Sequence, residues 1–141
     1  MSSQVSSASL VAELKSLRER VMGISESVIS TTDGLLVAAD TATVHPESAA
    51  ALTAAMLGLG TRTAAEFGVG ELRDVVTRCS GGYVLVLAIG RQALLMILGD
   101  EGLDLTALHR ESPAAVRRLA DLLGIELPPS PGVSSRSVPG A

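Results

Sequence analysis

The chain reads as a mixed α/β (α+β) domain of element order α-β-β-α-β-β-β-α, and three observations predict this. Short apolar runs rich in Val, Ile and Leu alternate with helix-length stretches whose apolar residues recur every three or four positions. Asp33-Gly34, Gly81-Gly82 and Gly90-Arg91-Gln92 separate successive runs by turns so tight that the strands they join must be antiparallel neighbours. The 141 residues are 47% apolar but only 1% aromatic, so a single core must be built from Leu, Val, Ile, Met and Ala.

Met1–Ser9 is polar and Ser-rich and is expected to be disordered. Ser9 is placed to cap a first helix running to about Met22, with Leu10, Leu14, Leu17 and Val21 on one face and Gly23 as its stop. Ile24–Thr32 and Leu35–Ala39 read as strands joined by Asp33-Gly34, a pair that favours a type I′ hairpin because both positions accept positive φ. A long helix follows, with Pro46 at its first position and Gly68 near its end. Leu72–Ser80, Tyr83–Ile89 and Ala93–Gly99 are then three more strands. The continuously apolar Tyr83–Ile89 fits a strand covered on both faces, while Arg73, Thr77 and Arg78 mark Leu72–Ser80 as an exposed edge. Glu101–Ser112 is longer and less regular than a simple connection, and Ser112-Pro113 is read as opening a last helix with Gly124 as its stop. Residues 10–127 thus form one domain, and 128–141, rich in Pro, Ser and Gly, a flexible tail.

The long helix carries the functional signal, because Ser48–Thr61 contains no charged residue. On a helical wheel Leu52, Met56, Leu59 and Phe67 fall on one side and are expected to face the core. The other side presents Ala50, Ala54, Leu57, Gly58, Thr61 and Ala65, small residues that let another helix approach closely. Few elements of the chain itself are left to cover this face, which predicts a second subunit or a partner protein. The alternative is a central helix wrapped by its own chain.

Several functions are argued against. Net charge is −4 with Arg scattered, so a nucleic-acid partner is not expected. Cys79 is the lone cysteine, which excludes an internal disulfide and leaves metal-ligand spacings unfilled; His45 and His109 have no companions nearby. Cys79 reads as a small packed residue, able to crosslink two copies if its strand lies at a dimer seam. No phosphate-loop pattern occurs, so no nucleotide or other cofactor is expected. Asp33, Asp40, Asp74, Asp100 and Asp104 fall at element ends, where turns and caps use aspartate. No nucleophile, base or metal cluster can be assembled, so the chain is not read as an enzyme. The start of the sequence lacks the charged and apolar regions of a signal peptide, and its longest charge-free run is too rich in Thr and Gly to span a bilayer; a cytoplasmic location without membrane insertion is expected.

The element order, the SVISTTDGLLVAAD segment at Ser27–Asp40, the Ala/Leu-rich helix Ala49–Ala65 and the run GYVLVLAIGRQALLMILG at Gly82–Gly99 together resemble the roadblock/LC7 family, particularly its bacterial gliding-motility members. The resemblance covers roughly Leu10–Leu123. It implies a five-stranded antiparallel sheet with helices on both faces, a homodimer with a sheet continuous across the interface, and a regulator or scaffold of a small Ras-like GTPase that stimulates GTP hydrolysis or only places the enzyme. The dimer or partner interface would then be the strand near Val75, Thr77 and Cys79 with the small-residue face of the long helix. Arg62, on that helix, is a candidate to reach a nucleotide phosphate in trans. The plainer alternatives are a pair with Glu66 one turn on, or a contact outside the active site. The rival reading is a small ligand-sensing α/β domain, against which the scarcity of aromatic and convergent polar groups stands.

Overall fold

The computed structural model describes residues 2–128, with side chains from Ser7 onward. The elements are α1 (Ser2–Arg20), β1 (Ile24–Thr31), β2 (Leu36–Asp40), α2 (Pro46–Phe67), β3 (Asp74–Cys79), β4 (Gly82–Ile89), β5 (Ala93–Asp100) and α3 (Leu105–Leu123). The order is the expected one. All strand pairs are antiparallel, in a single five-stranded sheet of order β2-β1-β5-β4-β3.

Strand alternation sorts the side chains into two layers. Ile29, Leu85, Leu87, Leu95 and Ile97 point to α1 and α3, where they meet Leu10, Leu14, Leu17, Leu108 and Leu119. Val28, Val86, Leu94 and Met96 point the other way, to α2. The central strands β1, β5 and β4 are therefore buried on both faces, which explains the nearly unbroken apolar sequence of β4 and β5. Arg18 Nε donates to Asp40 at 2.7 Å and Arg118 to Glu13 at 3.0 Å, fastening α1 to β2 and to α3.

Four local expectations are revised. Helix α1 runs through Ser9 back to Ser2, so Ser9 is not its cap and the stretch read as disordered is helical from Ser2. Helix α3 begins at Leu105, well ahead of Ser112-Pro113: Asp104 caps it by accepting from the Ala107 N–H at 3.0 Å. Pro113 then lies inside the helix. The β1–β2 hairpin does not use a two-residue type I′ turn. Thr31 N–H donates to the Leu35 carbonyl at 2.9 Å, leaving the three residues Thr32–Gly34 in the loop with Gly34 at φ 93. That is the length of a type I turn closed by a left-handed glycine, and the pairing shifts by one residue between Ile29 and Ser30. The tail 129–141 lies outside the described residues.

Candidate functional site

The site is built around α2. Pro46 begins the helix after an extended His45, and Gly68, left-handed at φ 64, ends it with N–H bonds back to Ala64 and Ala65. Its buried stripe is Ala50, Thr53, Leu57 and Ala64, resting on the apolar layer of Val28, Val86, Leu94 and Met96. Gly60 continues the stripe, where a Cβ would stand 2.8 Å from Leu72 Cδ2 and 2.9 Å from Val75 Cγ2, so the missing side chain lets the helix settle onto the start of β3.

This orientation departs from the one read from the wheel, although Gly58, Thr61 and Ala65 are exposed as expected. Leu52, Leu59 and Phe67, expected in the core, are 65%, 67% and 71% exposed, and Met56 is only partly buried. Ala50, expected on the partner face, is wholly buried and Leu57 nearly so. The reason is volume. The strands beneath α2 carry the bulky side chains, and a helix that presents small residues to them packs at close range without overfilling the layer.

A groove runs along each side of α2. One, of about 550 Å3, is lined by Ala54, Leu57, Gly58, Thr61 and Ala65 of the helix and by Thr32, Ala88, Gly90 and Arg91 at the turn end of the sheet, with Glu71 and Leu72 at its margin. The other, of about 420 Å3, lies toward the β3 edge and is lined by Leu52, Thr53 and Met56 of the helix and Thr77, Val84, Met96 and Leu98 of the sheet. Val44 and His45 close its end. The residues read as one interface thus divide. Ala54, Leu57, Gly58, Thr61 and Ala65 border the first groove, Thr77 the second, and Val75 packs under the helix. Arg62 is exposed on α2, and among the described residues it makes no ion pair with Glu66. Cys79, expected to be packed, is exposed as the last residue of β3, opposite Gly82, which offers no side chain to pack against.

Two features escaped the sequence reading. The first is the exposed shoulder of Leu52, Met56 and Leu59, on the helix that packs over the expected edge strand β3, where Val76 is 44% exposed. The second is Glu26, almost completely buried in β1. Its Oε1 accepts the N–H groups of Ala42, Val44 and Thr43 at 2.8, 2.9 and 3.1 Å, and Oε2 accepts the Thr43 hydroxyl. Burial pushes this carboxyl up, but the Thr43 hydroxyl and the three amides outweigh it and bring the pKa down to about 2. The carboxylate therefore fixes the loop that leads into α2 and forms the end of the second groove. A lone charge in a strand with no other ionisable residue was its signal in the sequence.

Residues 10–99 match the family model described as the Roadblock/LC7 domain. The chain belongs to the roadblock/LC7 family. Solved structures agree with the fold: the roadblock/LC7 domain from Streptomyces avermitilis has a TM-score of 0.75 at 23% identity, covering 80% of this chain and 96% of that one. The gliding protein MglB from Thermus thermophilus has a TM-score of 0.74 at 18% identity over 83% and 90% of the two chains. Myxococcus xanthus MglB has 0.75 at 16% identity over 82% and 95%. The comparison with curated proteins gave no match. In this roadblock domain no helix among the described residues is long and apolar enough to cross a membrane, and no cluster of three or more His, Cys, Asp or Glu that could hold a metal occurs among them.

Proposed function

We propose that this roadblock domain is a homodimeric, non-catalytic regulator or scaffold of a small Ras-like GTPase in the cytoplasm. The observation that carries the reading is the unpartnered apolar surface on one side of the molecule. It comprises the shoulder of α2 (Leu52, Met56, Leu59), the groove that Leu52 and Met56 share with Thr77 of β3, and the open edge of β3. A second copy adding its own β3 to that edge would pair the backbone and cover both helix shoulders in one step. Membership of the roadblock family, with a fold like that of the gliding protein MglB, supports a role exercised through protein contacts. Stimulation of hydrolysis, in this reading, works by stabilising the GTPase's own catalytic arrangement, with the solvent-facing Arg62 available to contact it.

Light scattering tests the proposal, with the chain alone and then mixed with a candidate small GTPase loaded with a GTP analogue. A dimer that gains mass with the GTPase is expected, and single-turnover hydrolysis then separates regulator from pure scaffold. A monomer that ignores the GTPase would refute the reading.

A further inference from the structure

We propose that the dimer forms through β3 in one register, with Val76 on the two-fold axis and Asp74 of each copy facing Arg78 of the other. This deepens the dimer reading above and rests on it.

Strand β3 is bonded to β4 on one side and is the last strand of the sheet on the other. Its pairing with β4 sets Asp74, Val76 and Arg78 opposite Leu87, Leu85 and Tyr83, all on the side of the sheet that carries α1 and α3. Asp74 and Arg78 lie four residues apart, about 13 Å along a strand, too far to pair with each other. Neither makes an ion pair among the described residues, and the β4 residues beside them are uncharged. Between them stands Val76, 44% exposed. A single copy therefore presents an acid, an exposed valine and a base in equal steps along an open edge.

Symmetry decides among the registers. The shoulder of α2 overlooks this edge, and two copies bury both shoulders against each other only if both α2 helices lie on the same face of the joined sheet. That requires a two-fold axis normal to the sheet, which pairs residues pointing to the same face and so passes beside a residue rather than between two. Centring on Val75 sets Asp74 against Val76. Centring on Thr77 sets Arg78 against Val76 and Asp74 against Ser80. Centring on Val76 pairs valine with valine and places opposite charges across the seam at both ends, each pair counted twice by the symmetry. It also aligns Val75 with Thr77 on the α2 face.

The test uses the full chain and its dimer dissociation constant. Asp74→Arg and Arg78→Asp, each creating two like-charge contacts, are expected to weaken the dimer about tenfold or more, and the double variant to restore it to within about threefold. In a Cys79→Ser background, Val76→Cys is expected to oxidise to a covalent dimer. Thr77→Cys is not, because its two copies would stand about 8 Å apart, beyond disulfide reach. Wild-type Cys79, about 20 Å from its copy in this register, is likewise expected to stay free. A double variant as weak as the singles, or crosslinking at Thr77→Cys or Cys79 instead of Val76→Cys, overturns the register while leaving the dimer standing. A wild-type chain that is monomeric throughout overturns the register and the dimer reading together.

Discussion

Gly60 of α2 faces Leu72 across a gap that no side chain could occupy: a Cβ there would stand 2.8 Å from Leu72 Cδ2. Val75 closes the same gap from the strand, its Cγ2 2.9 Å from that Cβ position, and packs in the layer of Leu57 and Val86. Gly58, two residues earlier, has nothing within 4 Å of its Cβ direction. The two glycines should therefore respond oppositely. Gly58→Ala is expected to stabilise the fold by up to about 1 kcal/mol through helix propensity. Gly60→Val should cost about 1–3 kcal/mol by overfilling the layer. Urea unfolding of both variants measures the difference, and equal effects would show that the close approach is not maintained in solution.

Glu26 makes stability depend on acid. Its carboxyl lies at about 2 in the folded protein against an ordinary 4.5, so its contribution is fully present above 4.5 and is lost as pH falls through the interval toward 2. Glu26→Gln removes the charge and should cost about 2–3 kcal/mol at neutral pH, the scale of hydrogen bonds to a buried charged group. Unfolding curves taken from pH 7 to pH 2 should show the wild type converging on the variant at the acid end. A constant gap would mean that the loop at 41–44 is held by something other than the carboxylate.

The two sides of α2 should separate folding from assembly. Leu57→Ala empties a site that is 6% exposed and should cost about 2–5 kcal/mol of fold stability. Leu59→Glu, at a position 67% exposed, should leave the unfolding of the monomer within about 0.5 kcal/mol. Under the proposed function it should also abolish the dimer seen by light scattering. Loss of helical circular dichroism in Leu59→Glu would place that residue in the core after all.

Asp104 supplies the side-chain cap of α3, whose first turn carries no acidic residue. Asp104→Ala should cost about 1 kcal/mol, read as a lowered melting temperature.

Element order, strand limits and the edge position of β3 were legible because each rests on local chemistry. The polar Arg73, Thr77 and Arg78 along β3 and beside it, the tight turns at Gly81 and Gly90, and Pro46 at the head of α2 all act within a few residues. The start of α3 was misread for a related reason. Ser112-Pro113 is a valid helix opening taken alone, but Asp104 offers an earlier cap, and burial of Leu108 and Leu103 against the sheet favours the longer helix. Likewise Asp33-Gly34 marks a turn but not its length, which the one-residue shift between Ile29 and Ser30 determines.

The sequence by itself determined the fold, because period, turn chemistry and family pattern all agree on it. It also determined that α2 has more apolar surface than one neighbour can cover. Only the tertiary structure decided which side of α2 is which. Helix periodicity reports that Leu52, Met56 and Leu59 share one flank and Ala50, Ala54 and Leu57 another, but it carries no information about the room each flank will find. That room is set by Val28, Val86, Leu94 and Met96, distant in sequence, whose bulk fills most of the layer and leaves space for Leu57 and otherwise for small residues. The larger side chains are left outside, beside the open edge of β3.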